Sequence, residues 1–179
     1  MNNKQVLLYG LAGQEQEISE ILDRNGVMAR WIQAEDLDQT LGHLCGLKGY
    51  DRKKKQEAGD PLTCGVMVFH NLEDDLLHGI LGELRQKNLG TGSLKAVVTP
   101  TNQNWTFRAL LGAIQNEQQV MAALIRLKKL RSQIVELDFT NVKLMRAVMQ
   151  AEKLMSGTEE VTVEEIDKAY QALEEVIHS

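Results

Sequence analysis

Four short apolar runs, each followed by a segment of helical periodicity, constrain the fold of this chain more than any other feature. They span residues 5–9, 27–32, 65–69 and 94–98. The runs are nearly continuous in apolar character, which is typical of strands that are covered on both faces of a sheet. Strands that alternate with helices through short junctions predict βαβ units, right-handed crossovers and a mainly parallel sheet.

The segments between the strands carry apolar residues at helical spacing and end at turn residues. A first helix is predicted over residues 14–24, before the stop signal Asn25-Gly26. Asp36 is predicted to cap a short second helix. The third helix is predicted over residues 72–87, and a fourth begins near Asn104.

These elements predict an α/β domain over residues 1–117, with a short, four-stranded, mostly parallel sheet and flanking helices of the Rossmann or flavodoxin type. We expect its strands to point the same way, so that the loops that follow them gather on one edge. Residues 48–61 form a polar, charged loop that leaves an alternative open. If the helix before this loop were only a flap, the strands would form a ferredoxin-like α+β sheet.

Residues 118–179 show no strand pattern and are predicted to form a helical extension. A long helix is followed by a break at residues 138–141, and Thr162 with Glu165 is a capping box that begins the last helix. The apolar stripes of this helical hairpin either pack within the chain or form a surface for a partner or a second copy. The candidate surface residues are Leu127, Leu130, Ile134, Ile166, Tyr170 and Leu173.

Composition and charge argue against several classes of function. The formal net charge is −5, whereas phosphate binding needs a basic face, so we expect no nucleic-acid partner. No apolar run approaches the length of a membrane span, and the N-terminal residues do not have the pattern of a signal peptide. Cys45 and Cys64 lie in apolar settings that suit reduced thiols. We therefore expect a cytoplasmic protein without a membrane partner.

Four strings in the first part of the chain resemble a bacterial family described as a domain of unknown function, DUF3783. They are LLYGL, LGHLCGLKGY, GVMVFHNLEDDLLHGIL and KAVVTPTNQNWTFRALL. Together they cover roughly the first 115 residues, and the last string is the most specific. The resemblance implies a bacterial source and a compact α/β domain. It implies no activity, and so no catalytic residue is transferred to this chain.

The loop after the fourth strand is the one candidate binding site in the sequence. Pro100 ends that strand because it cannot donate to a sheet ladder. Acidic first turns in the other helices repel anions, whereas this junction has no acidic residue. Its hydroxyl and amide groups either bind a small polar or anionic group, or cap the helix and close the turn. These residues are Thr99, Thr101, Asn102 and Asn104.

The sequence contains no recognisable catalytic or metal-binding pattern. Its GLAG string is neither a dinucleotide fingerprint nor a Walker loop, and it has no GxSxG elbow. His43, Cys45, Cys64 and His70 lack the paired spacing of a zinc site. We expect no catalytic residue, no metal and no cofactor.

The sequence therefore predicts a non-enzymatic interaction or regulatory module that associates through its C-terminal helices with a protein partner or with itself, as a homodimer. One alternative is a small-molecule or anion sensor that uses the loop from Thr99 to Asn104. An unidentified hydrolase or transferase has the least support.

Overall fold

The structure, a computed structural model, describes residues 3–53, 63–134, 140–157 and 160–177. The chain divides into two compact units, residues 1–112 and residues 113–179. Each unit has its own apolar core. Among the described residues, no helix combines the length and the hydropathy that crossing a membrane would need.

The first unit contains one sheet with a helix after each strand. Its strands are β1 (Gln5–Tyr9), β2 (Met28–Trp31), β3 (Val66–His70) and β4 (Leu94–Val97). Its helices are α1 (Glu15–Arg24), the one-turn α2 (Leu41–Leu44), α3 (Asp74–Gln86) and the beginning of α4 (Phe107–Arg131). A 3-10 turn at Ala34–Asp36 precedes α2. The short second helix is capped by Thr40, whose hydroxyl accepts from the backbone N–H of His43, and the predicted cap at Asp36 is wrong.

The sheet has the order β2-β1-β3-β4, and two of its three strand pairings are parallel. The predicted short, mostly parallel α/β sheet is therefore confirmed. The expectation that all four strands point the same way is wrong, because β1 and β3 are antiparallel. A parallel pairing needs a connection that returns the chain along the sheet, usually a full helix. The described part of the β2–β3 connection offers only the four-residue α2.

An approximate twofold axis relates the two βαβ halves of this unit. It passes between β1 and β3, where Leu7 pairs with Val68, and through the antiparallel bridge between Thr40 and Thr106. Corresponding backbone hydrogen bonds occur in both halves. Met28 N donates to Lys4 O in the first half, as Leu94 N donates to Gly65 O in the second. Ile32 N donates to Leu8 O, as Val98 N donates to Phe69 O. Leu41 N donates to Trp105 O, as Phe107 N donates to Gln39 O. A strand, a helix, a second strand and a threonine that caps the next helix therefore occur twice in the same order. This repeat was not predicted from the sequence.

Both faces of the sheet are covered, as the continuous apolar strands predicted. Helices α1 and α3 pack on one face, over the side chains of Val6, Leu8, Met67 and Phe69. On the other face Tyr9 contacts the ring of Phe107 edge-on, with the ring centroids 6.4 Å apart.

The second unit is a helical cluster made from α4, α5 (Val142–Met155) and α6 (Val163–Ile177). Asn141 caps α5 by accepting from Leu144 N, while residues 138 and 139 of the predicted break lie outside the described residues. The predicted capping box is confirmed, since Thr162 Oγ1 accepts from Glu165 N and Glu165 Oε2 accepts from Thr162 N. The apolar stripes of the three helices meet one another within the chain.

Candidate functional site

The loops that follow the four strands were predicted to gather on one edge of the sheet. Because β1 and β3 are antiparallel, these loops lie at two opposite edges instead. The loops after β1 and β2 lie at one edge of the sheet, and those after β3 and β4 lie at the opposite edge. A shared rim built from all four loops therefore does not form. The loop after β4 lies instead against the beginning of α2 in the first half, where Gly42 N donates to Gln103 O at 2.8 Å.

The loop after β4 uses two of its candidate side chains to close its own turn. Asn102 Oδ1 accepts from Thr99 N at 2.8 Å, and Asn102 Nδ2 donates to Val97 O at 3.0 Å. Thr99 Oγ1 accepts in turn from Asn102 N. A ligand that engaged these groups would have to replace those hydrogen bonds, and so ligand binding at this loop stays a prediction.

The cap of α4 is Thr106, whose hydroxyl accepts from Ala109 N at 3.0 Å. Capping by a residue of the loop, Asn102 or Asn104, was one of the two roles predicted for these residues, and Thr106 has that role instead. Thr106 corresponds to Thr40 across the twofold axis, and the two capping threonines pair with each other. The repeated Thr-capped helix start was the signal that could have identified this cap.

The candidate interaction residues of the C-terminal helices lie inside the second unit. Four of them are buried in the shared cluster of α4, α5 and α6, and Ile134 and Tyr170 pack against it while partly exposed. A surface for a partner would therefore be formed by other side chains of these helices. The four buried residues are Leu127, Leu130, Ile166 and Leu173.

We use the name C-terminal patch for four exposed apolar side chains of α4 and α5, together with the half-buried Met145. On α4, Met121 and Ile125 are one helical turn apart and are 56% and 61% exposed. On α5, Val142 and Met149 are two turns apart and are 61% and 64% exposed, with Met145 between them. Large apolar side chains exposed at helical spacing are typical of protein-interaction surfaces.

An ion pair joins α4 to α5. Arg131 Nη2 on α4 is 2.8 Å from Glu152 Oε1 on α5, which shows which sides face each other. Glu152 lies one turn after Met149, and helical spacing puts Met121 on the flank of α4 nearer to α5.

A second feature is a cavity of about 260 Å³ beside the end of α3. Two basic side chains, Arg85 and Lys95, border it together with apolar leucines. The cavity lies in the first unit, away from the loop that the sequence analysis selected.

A buried histidine is the third feature. His70 at the end of β3 is 7% exposed, and neither ring nitrogen has a hydrogen-bond partner among the described residues. It pairs with Gln5 across the β1–β3 ladder. Burial lowers the pKa of His70 from its ordinary 6.5, because the charged imidazolium loses its hydration.

The stability of the fold is expected to fall as the pH falls below about 6.5, and His70→Leu should remove that slope. The folded chain holds His70 neutral, so the unfolded chain binds more protons at acidic pH and unfolding is favoured there. Leu should also raise stability at neutral pH by about 1 kcal/mol, since it has no unpaired polar atoms. Urea melts from pH 7.5 to 5.0 measure both effects.

The control for this experiment is His78→Gln, because His78 is exposed on α3. Its slope should match that of the unchanged protein. A His70→Leu protein with an unaltered slope would show that other groups set the acid sensitivity.

Groups of three or more His, Cys, Asp or Glu side chains placed to hold a metal ion do not occur in the described part of the chain. Residues 65–121 match the model of a family described as Domain of unknown function (DUF3783). The matched segment contains β3, α3, β4 and the first part of α4, and so it includes the cavity beside α3. No curated protein and no solved structure matches the chain.

Proposed function

We propose that this chain, which carries a DUF3783-like segment at residues 65–121, is a non-enzymatic interaction module that binds a protein partner through its second unit. The observation that supports this function is the C-terminal patch. The helices that carry the patch have their apolar stripes packed on one another. The exposed side chains of the patch are therefore not needed for the apolar core of the second unit, which other residues form.

The composition of the patch suits a surface that binds an amphipathic helix. Three of its five residues are methionines, Met121, Met145 and Met149. Methionine is unbranched and polarisable, so that it adapts to partners of different shape. An amphipathic helix places apolar anchors at the same one-turn spacing as the residues of the patch.

Charge favours an acidic partner over a second copy of this chain. Lys128 lies one turn after Ile125, and Arg146 lies one turn after Val142, both exposed. Of the nearby carboxylates, Glu152 is already paired with Arg131, and Glu117 lies one turn before Met121 at the far end of the patch on α4. Two copies that met through this patch would bring like charges together, whereas an acidic amphipathic helix would neutralise them.

The test pans a displayed library of random helical peptides against the full chain. Acidic amphipathic peptides should be enriched, and salt should weaken their binding. The double variant Ile125→Glu, Met149→Glu should lose the enrichment, because it places charge in the apolar part of the patch. Gln171→Glu is the control, since Gln171 is exposed on α6 and outside the patch. Light scattering of the same proteins tests self-association.

Each outcome decides between partners. Enrichment that disappears in the double variant alone supports a protein partner at the patch. A dimer that salt strengthens and the double variant dissociates would make a second copy the partner instead. A monomer that enriches no peptide family would contradict the interaction function.

A cytoplasmic location and a bacterial source belong to the same proposal. Cys45 is a buried, free cysteine. Burial raises the pKa of the Cys45 thiol to about 12, which keeps it protonated and unreactive. Reduced, unreactive thiols are what a protein of a reducing compartment contains. The bacterial source is supported by the family resemblance alone.

A further inference from the structure

We propose that the cavity beside α3 binds a small organic acid, a carboxylate that carries a short apolar chain. The cavity has a volume of about 260 Å³ and lies between the last turns of α3, the turn after them and β4. Nothing in this inference depends on the C-terminal patch. The lining residues are Leu81, Leu84, Arg85, Leu89, Gly90, Thr91 and Lys95.

The ammonium group of Lys95 is held in place by neutral acceptors. Its Nζ donates to Gly90 O, Ser93 O and Ser93 Oγ, each at 3.1 Å. Three carbonyl and hydroxyl acceptors fix the position of the ammonium but leave its charge unbalanced. All three N–H donors of Lys95 are therefore engaged, so its fixed ammonium would attract a bound anion through its charge, while Arg85 would supply the N–H donors.

The guanidinium of Arg85 is a second positive charge beside Lys95. Burial and the neighbouring guanidinium of Arg85 both lower the pKa of Lys95. In the described ranges neither residue forms an ion pair with Asp or Glu, and the nearby Glu83 pairs with Arg24 on α1. Two like charges that border one cavity repel each other, and a bound anion would remove that repulsion.

The walls of the cavity indicate which anion fits. Leu84 and Leu89 are buried in the sheet core, and Leu81 packs against the same cluster. Inorganic phosphate would engage the two cations but leave the exposed part of Leu81 in contact with water. A carboxylate with an apolar chain uses both parts, because Arg85 presents a fork of N–H donors to its oxygens and the leucines cover its chain.

The experiment titrates the full, isotope-labelled chain with hexanoate, acetate, inorganic phosphate and hexylammonium and follows its amide NMR signals. Hexanoate should shift the signals of residues 89–95 and bind more tightly than acetate, by up to about fourfold for each added methylene. Phosphate should bind more weakly than hexanoate, and hexylammonium should cause no shift. Arg85→Gln and Lys95→Gln should each weaken hexanoate binding at least about tenfold.

Two further variants separate binding from folding. Lys87→Gln removes an exposed cation from the same end of α3 that does not line the cavity, and it should bind hexanoate like the unchanged protein. Arg85→Glu places a carboxylate beside Lys95. It should raise the melting temperature, because it balances the Lys95 charge from within the chain, and it should abolish hexanoate binding.

Three results would overturn the inference. They are no signal change with hexanoate at millimolar concentration, equal affinities for phosphate and hexanoate, or hexanoate binding that Arg85→Gln leaves unchanged. Loss of peptide binding at the C-terminal patch would have no bearing on it, since the two tests use different units of the chain.

Discussion

Leu127→Ala is expected to destabilise the second unit by about 3 kcal/mol. Leu127 is completely buried between α4, α5 and α6, and removing its side-chain methyl groups would leave a cavity that the neighbouring helices fill only in part. Thermal melts followed by helical circular dichroism measure the loss. Because the contacts lie within one chain, the loss should be independent of protein concentration.

Ile125→Ala is the matched control, two residues earlier on the same helix. Ile125 is 61% exposed, and so its truncation should change stability by less than about 0.5 kcal/mol. If dilution increased the effect of Leu127→Ala, the stripe would be packing between chains. The pair of variants therefore distinguishes the two roles that the sequence left open for the C-terminal stripes.

Gly10→Ala is expected to destabilise the first unit by on the order of 3 kcal/mol. Gly10 follows β1 with φ at +66°, a conformation that is costly for a residue with a side chain. A Cβ here would also lie 2.7 Å from Cys64 O, just before β3. Urea unfolding measures the cost.

Gly13→Ala isolates the part of this cost that comes from the backbone conformation. Gly13 has φ at +81°, but a Cβ at this position would meet nothing within 4 Å. Its expected cost is therefore about 1 kcal/mol. The difference between the two variants reports the contact with Cys64, which exists only because the end of β1 lies beside the beginning of the antiparallel β3. Equal costs would contradict that arrangement.

The patterns that predicted individual elements are local, and the structure agrees with them closely. The apolar run at residues 5–9 is β1 without any change of bounds, and the capping box of Thr162 and Glu165 begins α6. Helix α3 is two residues shorter at its start and one at its end than the periodicity predicted. Such signals are reliable because strand burial and helix capping depend on neighbours a few residues away.

The candidate site was harder to predict because its chemistry comes from spatial neighbours. The sequence analysis did not select Arg85 and Lys95, which lie ten residues apart on a helix and a strand. Charged residues at such spacing usually lie apart on the surface of a protein. Here the turn between α3 and β4 places both side chains beside one cavity. The Thr99 loop stands out in the sequence for its lack of acids, but the hydrogen bonds that engage Asn102 within the turn are visible only in the structure.

The sequence by itself determined the number of the strands, their positions along the chain, the helices between them and the change to an all-helical second unit. These follow from periodicity and caps, which act over one or two turns of chain. Only the tertiary structure decided that β3 runs against β1, that two halves repeat about a twofold axis, and that the stripes of α4, α5 and α6 close on one another. The reason is that strand direction and helix pairing depend on how the connections return the chain and on which apolar faces meet. Residues far apart in the sequence settle both.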